Sequence, residues 1–371
     1  MARALRPVQA VPGPELARAL QAALDGSGPA LLPLPMDPAA AARITAALRP
    51  DEPLEDEEIA LVVPTSGSTG QPKGVLLTAA CLRASADAAA ERLGGPASWL
   101  LALPVTHIGG LQVLLRALLA GAPPVVDADV VRGTAALPPG RRCTSLVPTQ
   151  LRRLLAAGPE SQDALASYDA VLLGGAAAPP ALLAKARAAG VRVVTTYGMS
   201  ETSGGCVYDG VPLPGVQVAL ADGRITLSGP VVARGYRLRP DLTAASFAGC
   251  SYRTEDLGRL EDGRLQVLGR VDDLIVTGGE KVAPAAVEAA LAEHPAVADV
   301  AVVGVPDPEW GARVVAVVVL RPGAALTLEQ AREHVGARVS RVAAPRALEV
   351  VAALPLLAAG KPDRAALRSL L

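Results

Sequence analysis

Between two short apolar runs, residues 59–63 and 75–77, the chain reads Pro64-Thr65-Ser66-Gly67-Ser68-Thr69-Gly70-Gln71-Pro72-Lys73-Gly74. Ser66, Ser68 and Thr69 offer hydroxyl donors, Gly67, Gly70 and Gly74 let the backbone turn its amides onto a ligand, and Lys73 adds a positive charge. That combination suits an anion with several oxygens, and a polyphosphate is the natural choice. The Walker arrangement is absent, because Pro72 precedes Lys73 and Gly74 follows it. A flexible glycine-serine linker would need neither the lysine nor the proline. Farther along, His107 lies in an apolar loop, where a histidine is more commonly structural than functional. Arg116 interrupts Leu111, Val113, Leu114, Leu115, Leu118 and Leu119. An arginine in such company either sends its head to the surface or is buried with an anionic partner, since an unpaired buried charge costs several kcal/mol. Leu172-Leu173-Gly174-Gly175-Ala176-Ala177 ends a strand on two glycines, which serve equally a close approach to a ligand and a plain strand-to-helix turn. On their own, Asp272-Asp273 and Lys361 read as solvated charges.

The elements that must position these residues follow an alternating pattern. Residues 59–63 and 75–77 read as strands around a loop, and Thr78 caps a helix from 79 to about 93. Strands at 99–103, 145–147, 170–173 and 191–195 then alternate with helices at 150–157 and 180–189, the pattern of an α/β sheet. From 218 to 268 short polar strands joined by Asp222-Gly223 and Asp262-Gly263 turns indicate a β-rich subdomain. Beyond Arg270, helices at 284–292 and 328–339 and strands at 297–303 and 314–320 suffice for an α+β domain of about a hundred residues. The first 53 residues carry helical patches at 15–24 and 39–48 and no evident chemistry.

Composition bounds the function. The 371 residues hold 35 basic and 36 acidic side chains, a net charge of -1, so no basic field invites nucleic acid or an anionic membrane. Aromatics at 2% argue against a base-stacking surface. The apolar runs break well before membrane-spanning length, and Pro7, Pro12 and Pro14 interrupt any signal-peptide core, so a cytoplasmic protein without membrane insertion is expected. Cys81, Cys143, Cys206 and Cys250 are scattered, with neither zinc spacing nor a disulfide framework.

The stretch 63–75 resembles the phosphate loop of the adenylate-forming enzymes, the superfamily of acyl-CoA synthetases, peptide-synthetase adenylation domains and luciferases. Further elements follow in that family's order. Tyr197-Gly198-Met199-Ser200-Glu201 is similar to its Tyr-Gly-x-Thr-Glu element, with Ser200 keeping the hydroxyl, and Thr254-Glu255-Asp256 to its Thr-Gly-Asp element, with Glu255 in place of glycine. Gly269-Arg270-Val271-Asp272 is similar to its interdomain hinge and Gly360-Lys361-Pro362-Asp363-Arg364 to its closing Gly-Lys-x-x-Arg. The resemblance implies a large N-terminal α/β domain with a β-rich subdomain, residues 1–269, and a small mobile α+β C-terminal domain, 270–371. It implies ATP held by Thr65, Ser66, Gly67, Ser68, Thr69, Gly70 and Lys73, with Gly175, Ala176, Gly198 and Met199 also at the nucleotide. Tyr197 would stack on adenine, Ser200 contact the α-phosphate, Glu201 ligate Mg2+ and Asp256 accept the ribose hydroxyls. Arg270 would stand near ribose or phosphate, Asp272 would be the pivot, and Lys361 would bridge the attacking carboxylate and the α-phosphate. His107 and Gly174 would line the acyl pocket.

Within the superfamily the likeness is greatest to the o-succinylbenzoate-CoA ligases of menaquinone biosynthesis, through residues 103–122, 145–151, 172–177 and 277–282. That implies o-succinylbenzoate, ATP and coenzyme A as small-molecule substrates, with Arg116 on the benzoate carboxylate; a homodimer is compatible with it. A ligase for a monocarboxylic acid, in which Arg116 is structural, and a non-catalytic nucleotide-binding module of the same fold remain the alternatives. An amino-acid adenylation domain would need an acidic anchor for an amine, and none stands out.

Overall fold

The computed structural model describes residues 3–66, 72–356 and 362–371; Gly67, Ser68, Thr69, Gly70 and Lys361, all expected at the site, lie outside them. The chain divides into two compact units: Met1–Gly175, Ala186–Ala219 and Thr226–Thr254 form the first, and Ala176–Lys185, Leu220–Ile225 and Glu255–Leu371 the second. The cut falls inside the strand Ser251–Glu261, ahead of the 269/270 boundary read from the hinge motif.

In the first unit, β1 (Leu5–Gln9), β2 (Ala30–Leu34), β3 (Ile59–Ser66) and β4 (Pro72–Thr78) form one sheet in that order, completed by the short strand Gly235–Tyr236 on β4. β1 and β2 were not expected. Each carries a proline, Pro7 and Pro33, and proline normally demotes a strand. All five residues of β2 are buried, and that burial offsets the ladder hydrogen bond Pro33 cannot make. β3 and β4 also run past their apolar cores: Thr65 pairs with Lys73 and Ser66 with Pro72, so these are strand residues where a loop was expected. Thr78 caps the helix Ala79–Leu93 as its sequence indicates, its Oγ1 accepting from the Cys81 amide at 3.1 Å.

A second sheet contains β5 (Ser98–Leu101), β6 (Val125–Val126), β7 (Arg142–Leu146), β8 (Ala170–Leu173), β9 (Val193–Met199), β10 (Gly204–Tyr208) and β11 (Val211–Pro212), in the order β11-β10-β9-β8-β7-β5-β6. β6, β5, β7, β8 and β9 are parallel, with helices in the crossovers, and β10 returns antiparallel to β9. Parallel strands leave their C-terminal ends on one edge of the sheet, the edge where α/β proteins place ligands.

Arg237 shows how the N-terminal region is held to this body. Its side chain is fully buried, and its guanidinium donates to the carbonyls of Leu48 (2.5 Å), Arg49 (2.7 Å), Glu52 (2.7 Å) and Pro53 (3.0 Å) and pairs with Glu55 at 3.1 Å. It thereby satisfies the C-terminal carbonyls of the helix Pro38–Leu48 and the turn that follows. Replacing it leaves several of these acceptors without a donor, each at about 1–3 kcal/mol where it stays dry. Arg237→Met is therefore expected to lower unfolding stability by about 3 kcal/mol in a denaturant titration with an unchanged slope. A loss below ~0.5 kcal/mol would mean that water replaces the guanidinium.

The second unit holds an antiparallel sheet in the order Glu280–Val282, Ile275–Thr277, Gly311–Leu320, Val297–Asp307, with Ala347–Val350 parallel to Gly311–Leu320. Val287, Leu291, Val302, Val314, Val318 and Val335 fill its main core beneath the helices Pro284–Ala292 and Leu328–Arg338. The Asp-Gly turns form as expected, with φ of 50° and 76° at Asp222-Gly223 and 49° and 73° at Asp262-Gly263.

Candidate active site

In the first unit the expected residues converge on one edge of the parallel sheet. His107 stands at the N-cap position of the helix Ile108–Leu119 after β5 without a side-chain capping bond, Gly174 and Gly175 follow β8, and Met199 ends β9 with Ser200 directly after it. Ala176 falls in the second unit. The glycine of the Tyr197-Gly198 pair has a structural reason: a Cβ there would lie 2.1 Å from the Gly204 carbonyl oxygen and 2.7 Å from the Gly205 Cα. Only glycine lets β9 and β10 approach so closely. His107 is exposed, while the helix it begins is packed tightly behind it, since a Cβ at Gly110 would meet the Pro104 carbonyl oxygen at 2.3 Å.

Ser200, Glu201 and Thr202 form a single 3-10 turn, closed by the Met199 amide on Thr202 Oγ1 at 3.0 Å. Glu201 Oε1 accepts the Tyr236 hydroxyl at 2.8 Å, and the Glu201 carbonyl accepts the Ala233 amide. Tyr236 pairs with Val75 of β4, and its ring lies 5.4 Å from Lys73 Nζ, a cation-π approach. The Tyr236 hydroxyl is also 3.3 Å from that of Tyr252, with Phe247 packed against both rings. Burial, then the adjacent Glu201 charge and Tyr252, push the Tyr236 phenol well above its ordinary value, so it stays a donor to Glu201 at any working pH. One tyrosine thus joins the lysine of one sheet to the carboxylate of the other.

This arrangement fits a magnesium ion held with a polyphosphate. Mg2+ typically takes one or two carboxylates plus phosphate oxygens, and metal-binding carboxylates are oriented by an outer hydrogen bond such as the one from Tyr236. No group of three His, Cys, Asp or Glu among the described residues makes a self-sufficient metal cage.

Along the helix Ile108–Leu119, Gln112 and Arg116 are buried, at 2% and 7% exposure, and lie one turn apart on the same face. Gln112 Nε2 donates to the Ser203 carbonyl at 2.6 Å, while its Oε1 has no partner. Arg116 Nη2 donates to the Tyr208 hydroxyl at 3.2 Å, its guanidinium lies 5.3 Å from the centre of the Trp99 ring, and its Nε has no partner. Of the two fates open to Arg116 it takes burial, yet among the described residues it has no carboxylate partner. A cavity of about 100 Å3 lies beside it, lined also by Trp99, Ala90 and Leu119.

In the second unit Asp256 and Arg270 are cross-strand partners 3.6 Å apart, and Arg270 makes a two-point pair with Asp272 at 2.8 and 2.9 Å. Burial pushes the Asp272 carboxyl up, but the hydrogen bond and charge of Arg270 outweigh it and hold the carboxyl below its usual range. Glu255, where the family has glycine, pairs with Arg224. Arg364 is anchored by Glu288 at 2.9 Å and by the Val302 carbonyl, fixing the residues just after Lys361.

Sequence reasoning missed Tyr236, Tyr252 and Gln112. In a chain with one phenylalanine and five tyrosines, Tyr236, Phe247 and Tyr252 within seventeen residues were a signal, as was a lone amide one helical turn before Arg116.

Comparison with known proteins agrees with this geometry. The family model described as AMP-binding enzyme matches residues 17–237, and that of the AMP-binding enzyme C-terminal domain matches 286–361. A probable 2-succinylbenzoate-CoA ligase of Mycobacterium tuberculosis (strain CDC 1551 / Oshkosh) is 51% identical over 364 residues, covering 94% of this chain and 93% of the relative. A 2-succinylbenzoate-CoA ligase of Geobacillus sp. (strain WCH70) is 35% identical, covering 85% and 70%. Among solved structures, the o-succinylbenzoate CoA synthetase of Bacillus subtilis in complex with its acyl-adenylate intermediate superposes with a TM-score of 0.75 at 30% identity, covering 98% of this chain and 83% of that one. By its motifs, its parallel sheet with the Ser200-Glu201 turn at the ligand edge, and these matches, the chain belongs to the AMP-binding enzyme family, the adenylate-forming enzymes.

Proposed function

We propose that the chain is an AMP-forming acid-thiol ligase that joins o-succinylbenzoate to coenzyme A. The observation that carries the substrate is Arg116, a buried guanidinium without a carboxylate partner among the described residues. It stands one helical turn beyond Gln112, which touches the turn of Ser200 and Glu201 through Ser203. o-Succinylbenzoate has two carboxylates, so one can be activated at Ser200 while the other meets Arg116. A guanidinium in a dry site is well suited to a carboxylate.

The reaction has two displacements. The succinyl carboxylate attacks the α-phosphorus of ATP and pyrophosphate leaves; the thiol of coenzyme A then attacks the mixed anhydride and AMP leaves. The protein supplies position and electrostatics, with little acid-base work. Thr65, Ser66 and Lys73 hold the phosphate chain, together with Gly67, Ser68, Thr69 and Gly70 of the connecting segment. Tyr197 meets adenine, with Gly175 and Ala176 alongside, and Gly174 and His107 line the acyl pocket; Ser200 meets the α-phosphate, and Asp256 and Arg270 hold the ribose. Lys361 stabilises charge at the reacting carboxylate and phosphate. Magnesium, when bound at Glu201, neutralises phosphate charge.

The test is pyrophosphate release and thioester formation with MgATP and coenzyme A, using o-succinylbenzoate beside benzoate and a medium-chain fatty acid. Turnover with o-succinylbenzoate alone is expected. Equal turnover with a monocarboxylate would discard the assignment of Arg116 and leave the adenylate chemistry standing.

A further inference from the structure

The Ser200–Thr202 turn is followed by Ser203, a buried residue with φ of 55°, a left-handed conformation that side chains other than glycine seldom adopt. Such a conformation persists only where its surroundings over-determine it, and here they do. The Ser203 carbonyl accepts two hydrogen bonds from different helices, Gln112 Nε2 at 2.6 Å and Ser85 Oγ at 3.1 Å. Its own hydroxyl donates to the Val231 carbonyl at 2.8 Å, and its amide to the Ser200 carbonyl at 3.0 Å. Every polar group of Ser203 is therefore tied, and the tie from Gln112 comes from the helix face that also carries Arg116.

We propose that Gln112, assisted by Ser85, is a positioning residue for the reaction: it clamps Ser203 and so fixes the turn presenting Ser200 and Glu201 at a set distance from Arg116. The proposal rests on the roles given above to Ser200 and Glu201. With Gln112 replaced, the Ser203 carbonyl keeps the Ser85 hydroxyl as a donor, and Gln112 itself leaves Oε1 without a partner, so satisfying that carbonyl does not by itself account for a buried amide here. What the amide adds is a fixed link between two parts of one site.

Gln112→Met keeps length and bulk while removing the amide. In the full chain it is expected to lower kcat for pyrophosphate release about tenfold and to raise several-fold the Mg2+ concentration giving half-maximal rate. KM for o-succinylbenzoate and the melting temperature should remain near wild type. Calorimetry with α,β-methylene-ATP supplies a readout without turnover: binding should be unchanged without Mg2+ and weakened with it. Ser85→Ala should shift the same quantities in the same direction by less. A folded Gln112→Met enzyme with wild-type kcat and Mg2+ dependence overturns the proposal, as does a rise in KM for o-succinylbenzoate alone, which would make Gln112 a pocket wall. If the wild type releases no pyrophosphate with o-succinylbenzoate, the substrate reading fails. The calorimetric comparison then decides on the clamp by itself: Mg2+-dependent weakening supports it, and equal binding overturns it.

Discussion

Arg116→Leu is expected to lower kcat/KM for o-succinylbenzoate by about two to three orders of magnitude, mostly through KM. The guanidinium is desolvated, held by Tyr208 and the face of Trp99, and lacks any carboxylate partner among the described residues. An anion arriving there gains a charge-assisted pair, and removing one member of a buried pair costs ~2–5 kcal/mol because the other charge is left dry and alone. At ~1.4 kcal/mol per factor of ten that is the stated loss. The contact is remote from the reacting carboxylate and is made equally in ground and transition states, so it should appear in KM. Arg116→Lys should recover part of the loss, since it keeps the charge and gives up the planar fork. Stability should move the other way: without substrate the buried charge is a cost, and the leucine enzyme should melt no lower than wild type. Unchanged efficiency with o-succinylbenzoate, or an equal fall with benzoate, would show that Arg116 is structural.

What could be read in the sequence was whatever local spacing encodes. The Asp-Gly turns, the Thr78 cap and the Tyr197-Gly198 pair each depend on neighbours in the chain, and the structure supplies a left-handed φ, an accepted amide and a steric clash as their reasons. β1 and β2 were illegible because their local signal, a proline in each, opposes the strand, and only burial in the sheet overrides it. Tyr236 was illegible for another reason: it meets Glu201 across 35 residues, a contact made by the pairing of Gly235–Tyr236 with β4, which no periodicity announces. Gln112 is intermediate. Its spacing from Arg116 was visible, but its meaning required Ser203, 91 residues away.

Glu201→Gln is expected to lower kcat for pyrophosphate release by about 10²–10³ and to raise the Mg2+ requirement, while the enzyme folds normally. The amide is the shape of the carboxylate and can still accept the Tyr236 hydroxyl, so the turn from Ser200 to Thr202 keeps its hydrogen bonds. What is lost is the negative charge and one acceptor oxygen. In the proposed reaction that charge faces the phosphates during the first displacement, where removal of one preorganised electrostatic contact commonly costs two to three powers of ten. The second displacement starts after pyrophosphate has gone, so the rate of thioester formation from preformed acyl-adenylate should change by no more than a few-fold. Tyr236→Phe separates orientation from charge: it keeps the ring under Lys73 and deletes the hydroxyl that aims Glu201. Its expected loss is about tenfold, the usual scale for an outer hydrogen bond on a metal-binding carboxylate. If Glu201→Gln slows both displacements equally, the carboxylate acts on the turn's structure. If it leaves the Mg2+ requirement at the wild-type value, another residue supplies the ligand.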